Sequence, residues 1–116
     1  MKLLLVDDDE VLLRMTSRLL KTLGHEAVSC ESAQEALAHL DDPEVGLLMT
    51  DLNMPGMGGK ELAAKCWESR PDLPVMYFSG DDESTVELTG AGEESYLQKP
   101  FSREDFNLAL KSVPAP

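Results

Sequence analysis

Residues Leu47-Leu48-Met49-Thr50 form a run with no polar alternation, which stops on Asp51 and breaks into Leu52-Asn53-Met54-Pro55-Gly56-Met57-Gly58-Gly59. A strand with one wet face alternates polar and apolar residues, so this run suits a strand covered on both faces; the Pro and Gly behind it forbid its continuation. Sheets covered on both faces are built from parallel strands whose crossover helices leave only the strand ends open. Asp51 therefore falls at a carboxyl-end rim, where open parallel sheets carry ligands and chemistry. Taken alone, Asp51 reads equally well as a loop-starting acid, because Asp is favoured in turns.

The rest of the chain repeats the alternation. Lys2 to Val6 is the first expected strand, followed by Asp7, Asp8, Asp9 and Glu10. Val11, Leu12, Met15, Leu19, Leu20 and Leu23 recur at helical spacing, with Gly24 where a helix C-cap belongs. Ala27 to Cys30 is a second strand, and Ser32 can cap a helix whose inner face is Ala33, Ala36, Leu37 and Leu40. Val45 to Thr50 is the third strand. Lys60 to Ser69 carries Leu62, Ala63, Cys66 and Trp67 on one side and is closed by Arg70-Pro71. Val75 to Phe78 is the fourth strand; a short fourth helix is expected after Ser79-Gly80-Asp81-Asp82, on Val86, Leu88 and Ala91, interrupted by Gly90 and Gly92. Ser95 to Gln98 is the fifth strand, and Ser102 caps a last helix with Phe106, Ala109, Leu110 and Val113 inward. Right-handed crossovers then give an α/β fold of five parallel strands.

A length of 116 residues with 42% hydrophobic residues allows one compact domain, expected over 1–113, with 114–116 as a Pro-bearing tail. Cys30 and Cys66 lie outside any Cys-x-x-Cys or Cys/His cluster, which argues against a zinc site or redox pair and for free thiols in a reducing cytosol. No apolar run approaches membrane-spanning length, and the first strand meets acids too early for a signal peptide. A net charge of −12 disfavours direct binding to nucleic acid or to an anionic membrane surface, so the expected partners are proteins.

In the flavodoxin-like strand order 2-1-3-4-5, strands one and three are neighbours at the switch point, and Asp7 and Asp8 emerge beside Asp51. Two like charges about 4 Å apart repel by roughly 4 kcal/mol at an effective dielectric near 20, so such a cluster needs a cation or takes up protons. Carboxylates, a backbone carbonyl and waters are the ligands Mg²⁺ accepts. Lys99 is the only basic residue at an expected strand end. Read singly, the acids can serve the first helix N-terminus, Ser79 can be a turn residue and Lys99 a surface charge.

Four segments at strand ends, Leu5-Val6-Asp7-Asp8-Asp9, Asp51 to Gly59, Phe78-Ser79-Gly80 and Tyr96-Leu97-Gln98-Lys99-Pro100-Phe101, occur in this order. Together they resemble the acidic pair, phosphorylation loop, hydroxyl strand end and lysine turn of response-regulator receiver domains of two-component signalling. The resemblance runs from Leu3 to about Val113. It implies a (βα)5 three-layer sandwich in which Asp51 is the phosphoacceptor. Asp8 and Asp51 would ligate Mg²⁺ directly, Asn53 would offer its backbone carbonyl, and Asp7 would act through water. Ser79 and Lys99 would hold phosphoryl oxygens, and the bond to Pro100 would be cis.

The implied donor is a phosphohistidine on a sensor histidine kinase or a histidine phosphotransfer protein. The implied role is a cytoplasmic signalling switch, monomeric or dimerising on phosphorylation, whose only catalysis is its own Mg²⁺-dependent phosphorylation and dephosphorylation. Ser79 would move toward the phosphoryl group and Tyr96 turn inward, altering the surface of the fourth helix, fifth strand and fifth helix that a downstream protein reads. Asp81 is expected near the path of the hydrolytic water. The stretch Arg70 to Gly80 is similar to receivers appended to hybrid sensor histidine kinases.

Other classes fit less well. A haloacid-dehalogenase type phosphatase wants Asp-x-Asp after its first strand, whereas Asp51-Leu52-Asn53 follows the third. A flavin-binding relative needs a hydroxyl- and Gly-rich loop after strand one, where Asp7 to Glu10 would repel the phosphate of FMN. A receiver-like interaction module that is never phosphorylated is the remaining alternative.

Overall fold

The computed structural model describes residues 1–80 and 86–113. Strands β1 (Lys2–Val6), β2 (Glu26–Cys30), β3 (Val45–Asp51), β4 (Val75–Ser79) and β5 (Glu94–Gln98) form one parallel sheet in the order β2-β1-β3-β4-β5. Among the described residues the helices are α1 (Glu10–Thr22), α2 (Ala33–Leu37), α3 (Gly59–Ser69) and α4 (Arg103–Lys111). Asp81 and the tail at 114–116 lie outside the described residues.

Successive side chains of a strand point to opposite faces, and here both faces are covered. Leu4, Val6, Leu48, Val75 and Tyr77 pack with Ala33 and Ala36 of α2 and Leu62, Ala63, Cys66 and Trp67 of α3. Leu3, Leu5, Leu47, Met49, Met76 and Phe78 pack with Leu13 and Leu20 of α1 and Phe106 and Leu110 of α4. Each fully buried Leu contributes about 1.5–3 kcal/mol, so the two-sided core accounts for the uninterrupted apolar run in β3, all seven of whose residues are buried. Cys30 and Cys66 are free thiols in the α2/α3 layer, and burial pushes both up to about 11.

The helix ends follow their capping chemistry. Asp9 accepts the backbone N–H groups of Val11 and Leu12 to open α1. The helix closes in a Schellman motif: Gly24, at φ +87°, donates to the Lys21 carbonyl and His25 donates to that of Leu20. Ser102 and Asp105 form a reciprocal capping box at α4. The inner face of α1 differs from expectation, for Val11 and Met15 are 59% and 63% exposed. Leu13 and Thr16 face the sheet beside the expected Leu20, with Leu12, Leu19 and Leu23 packed against the same core. The apolar arc of α1 is wider than its contact, so periodicity identified the helix and its face but took in two residues at the exposed margin.

The expected fourth helix is absent from its described part, since residues 86–93 are irregular. Other partners compete for this backbone: the Glu94 carboxylate accepts from the Gly90 N–H at 2.8 Å, the Thr89 hydroxyl at 2.8 Å and the Tyr77 phenol at 2.6 Å. Gly90 stands at φ +73°, outside helical space, and the Glu87 carbonyl is taken by the Lys60 ammonium. Burial pushes the Glu94 carboxyl up, but the Tyr77, Thr89 and Gly90 donors outweigh it and hold the group below its ordinary value. Tyr77 is correspondingly raised, by burial first and by Glu94 second.

The rim opposite the acids is tied by cations. Arg70 donates to the carbonyls of Val45 at 2.6 Å and Asp42 at 3.3 Å, and Lys2 pairs with Asp42 at 2.5 Å. Among the described residues no helix is long and apolar enough to cross a membrane.

Candidate functional site

β1 and β3 are adjacent in parallel register, with Val6 opposite Thr50, so Asp7 and Asp51 leave the sheet side by side. Asp7 is 1% and Asp51 8% exposed, whereas Asp8 is open to solvent. One oxygen from each of Asp7, Asp8 and Asp51 lies within 4.8 Å of the others. Asp9 is spent on capping α1, which separates it from its two neighbours in sequence.

Each inner carboxylate is oriented by its own loop. Asp7 Oδ1 accepts from the Asp9 N–H at 2.9 Å and Asp51 Oδ1 from the Asn53 N–H at 3.2 Å, leaving both Oδ2 atoms facing inward. Lys99 Nζ meets them there, 3.1 Å from Asp7 Oδ2 and 3.4 Å from Asp51 Oδ2. It also lies 4.7 Å from the centroid of the Phe78 ring. The ammonium offsets the repulsion between two nearly buried carboxylates, which would otherwise amount to several kcal/mol.

Lys99 is delivered by β5 and by a cis peptide bond to Pro100. Its N–H donates to the Ser79 carbonyl at 2.6 Å, joining the ends of β4 and β5. The same carbonyl accepts the Tyr96 hydroxyl at 3.2 Å. Ser79 is 2% exposed, and Tyr96 is half-buried against the α2/α3 layer. Asp7, Asp8, Asp51 and Lys99 therefore share one pocket, Asn53 lies exposed in the loop behind Asp51, and Tyr96 reaches the site through the Ser79 backbone.

The profile described as response regulator receiver domain matches residues 3–111. The chain belongs to this family. The receiver is 39% identical over 102 residues to the response regulator protein FleR of Pseudomonas aeruginosa, a match covering 86% of the receiver and 22% of the relative. It is 36% identical over 110 residues to the transcriptional regulatory protein GlrR of Escherichia coli, covering 93% and 25%. Among solved structures, the Vibrio cholerae chemotaxis protein CheY4 superposes with a TM-score of 0.88 at 27% identity, covering 97% of the receiver and 98% of that chain. The receiver thus spans 22% and 25% of the two regulators. Receiver domains are signalling switches rather than turnover enzymes, and phosphorylation is typical of them.

Receiver domains bind Mg²⁺ at an acidic pocket, and the donors here suit it: three carboxylates, all oxygen, at one open rim. Two contributors escaped the sequence reading. Gly59 starts α3 with its N–H on the Leu52 carbonyl at 2.9 Å, and a Cβ there would lie 2.3 Å from the Asp51 carbonyl oxygen. The second is Phe78, whose apolar neighbours in β4 made it read only as core. The Gly58-Gly59 pair directly behind the acid was the available signal for the first; for the second it was only its place before Ser79 in the strand-end segment.

Proposed function

We propose that the receiver takes a phosphoryl group from a phosphohistidine onto Asp51 and converts it into a changed surface for a protein partner. The observation that carries this reading is the Lys99 ammonium held against Asp7 and Asp51 at a rim with three clustered carboxylates. A carboxylate oxygen of Asp51 forms the new bond to phosphorus while the bond from phosphorus to the imidazole nitrogen breaks, and its electron pair stays on that nitrogen. The Asn53 N–H keeps Asp51 oriented during the attack. Lys99 exchanges its contact with Asp51 for a phosphoryl oxygen, and the Ser79 hydroxyl donates to another. Asp8, Asp51 and the Asn53 carbonyl would hold Mg²⁺, with Asp7 acting through water, and the ion would supply positive charge that offsets the incoming phosphoryl group.

The output runs through Ser79. Its carbonyl is shared by the Lys99 N–H and the Tyr96 hydroxyl, so drawing Ser79 toward the phosphoryl group pulls on both. The surface that responds is made by residues 86–93, β5 and α4, with Tyr96 turning further inward. The donor is a sensor histidine kinase or a histidine phosphotransfer protein, the setting is cytoplasmic, and the domain spans 1–113. It acts as a monomer or dimerises when phosphorylated. Its charge keeps this domain itself off nucleic acid; in a longer transcriptional regulator, DNA contact belongs to another part of the chain. The likeness of Arg70 to Gly80 to receivers of hybrid kinases gives a second setting for the same chemistry.

Incubation with a small phosphodonor or beryllofluoride, with and without Mg²⁺, tests this by intact mass and backbone NMR. Modification should require Mg²⁺ and disappear in Asp51→Asn, with chemical-shift changes reaching β5. Unchanged labelling of Asp51→Asn would overturn the assignment, and a wild-type domain that a cognate kinase never labels would favour the unphosphorylated interaction module.

A further inference from the structure

The Lys99 ammonium has a third neighbour besides the two carboxylates, the face of Phe78 at 4.7 Å from the ring centroid. That ring is fully buried and braced: the Phe101 ring meets it edge-on, centroids 6.5 Å apart at 81°, and Phe101 tilts onto Phe106 at 5.2 Å. Phe78 is also the register partner of both Asp51 and Leu97, and it directly precedes Ser79. We infer that Phe78 is a positioning residue for Lys99, a π surface that keeps the ammonium at the pocket whatever the charge state of Asp51. The inference rests on the reading of Lys99 as a phosphoryl ligand.

A lysine side chain has four methylenes and a strongly hydrated head, so holding it in one place costs rotamer entropy. Two carboxylates can hold it before transfer, but one of them is consumed: once Asp51 carries the phosphoryl group, its Oδ atoms no longer present the same charge. Asp8 is exposed and, in the proposed function, would serve the metal. The negative face of an aromatic ring attracts an ammonium without hydrogen bonds and without titrating. With Asp7, it is therefore one of two neighbours of Nζ, among those described, that phosphorylation of Asp51 leaves in place, and the only one of the two that carries no charge. Because Phe78 and Ser79 are consecutive, a shift at the end of β4 carries the ring and the hydroxyl together.

The test is the NMR of the lysine ε-methylene protons together with phosphorylation rates. In the wild type the Lys99 ε protons should be shifted upfield by the ring current of Phe78, and Phe78→Leu should return them to the position of the other lysines. Phe101→Leu removes a bracing ring but leaves the Phe78 face, so it should preserve the shift; a merely structural role of the aromatic cluster would move both variants alike. At saturating Mg²⁺ and phosphodonor, Phe78→Leu should lower the phosphorylation rate roughly fivefold, the size of one cation–π contact. Unshifted ε protons in the wild type, or a Phe78→Leu rate equal to wild type, would overturn the inference. Lys99→Ala separates the two layers: wild-type transfer by that variant removes the phosphoryl role of Lys99, whereas the ε-proton shift reports on the ring contact independently.

Discussion

Replacing Gly59 by Ala should damage both the fold and the site, because α3 begins in direct contact with the backbone that carries Asp51. A Cβ at this position would lie 2.3 Å from the Asp51 carbonyl oxygen and 3.1 Å from both the Asp51 carbonyl carbon and Leu52 Cα. All three are backbone atoms, so no side chain can swing aside. Reaching ordinary contact requires the helix start to retreat by about 1 Å. Overpacking of this kind costs about 1–3 kcal/mol, and the weakened bond from the Gly59 N–H to the Leu52 carbonyl adds up to about 1 kcal/mol. Better helix propensity returns at most about 1 kcal/mol. The net loss of about 1–3 kcal/mol leaves a domain of ordinary stability folded. The same displacement moves the Asp51 loop, and a misplacement near 1 Å can lower a transfer rate about 100-fold. Gly80→Ala is the control, since a Cβ there meets no atom of the described residues within 4 Å. Urea unfolding and the initial phosphorylation rate should be measured on both. A Gly59→Ala protein within about 0.5 kcal/mol of wild type and equally fast would refute the reasoning.

Acidification should unlatch the segment before β5: Glu94 is held below its ordinary value, so its stabilising share is complete above about pH 4.3 and is lost as pH falls through the lower folded value. The stability difference between wild type and Glu94→Gln in urea should therefore be largest near neutrality and shrink in acid; a constant difference would contradict it. Tyr77→Phe removes the 2.6 Å donor to Glu94 and should cost about 1–2 kcal/mol. Arg70→Ala leaves the Val45 and Asp42 carbonyls without their guanidinium donors and should cost about 1–2 kcal/mol, with an unchanged phosphorylation rate because it acts at the opposite rim.

The parallel, doubly covered sheet was legible from a pattern that one interaction dominates, and the meeting of Asp7, Asp8, Asp51 and Lys99 followed once the flavodoxin-like order was taken for it. An unbroken apolar run demands two covered faces, and acids that end adjacent parallel strands must converge. The margin of the buried stripe of α1 was not legible, since Val11 and Met15 are as apolar as Leu13, and only the sheet decides how wide a stripe it covers. The segment at 86–93 failed for a different reason. Its local pattern was weak, and the Glu94 carboxylate, from the following strand, took the Gly90 N–H. The sequence set Asp7 and Asp8 apart from Asp9 for the pocket but did not show that Asp9 caps α1 while Asp7 faces Lys99, a difference made by a single turn of backbone. The contact of Phe78 with Lys99 was not legible, although Phe78 stood in the strand-end segment, because the ammonium arrives from a different strand end.

Trp67 is the sole tryptophan of the chain. Its indole N–H donates to the Leu73 carbonyl at 2.8 Å, and its ring abuts Gly92, where a Cβ would lie 2.5 Å from Cε2. The natural fluorophore is thus seated on the segment between β4 and β5, in the layer opposite α1 and α4. Its emission is an optical channel tuned to the far side of the switch: an ion that settles among the acids without disturbing that segment leaves it silent, and a rearrangement that lifts Gly92 from the indole changes its intensity and colour. Occupancy and output can therefore be told apart in one unlabelled sample, by light alone.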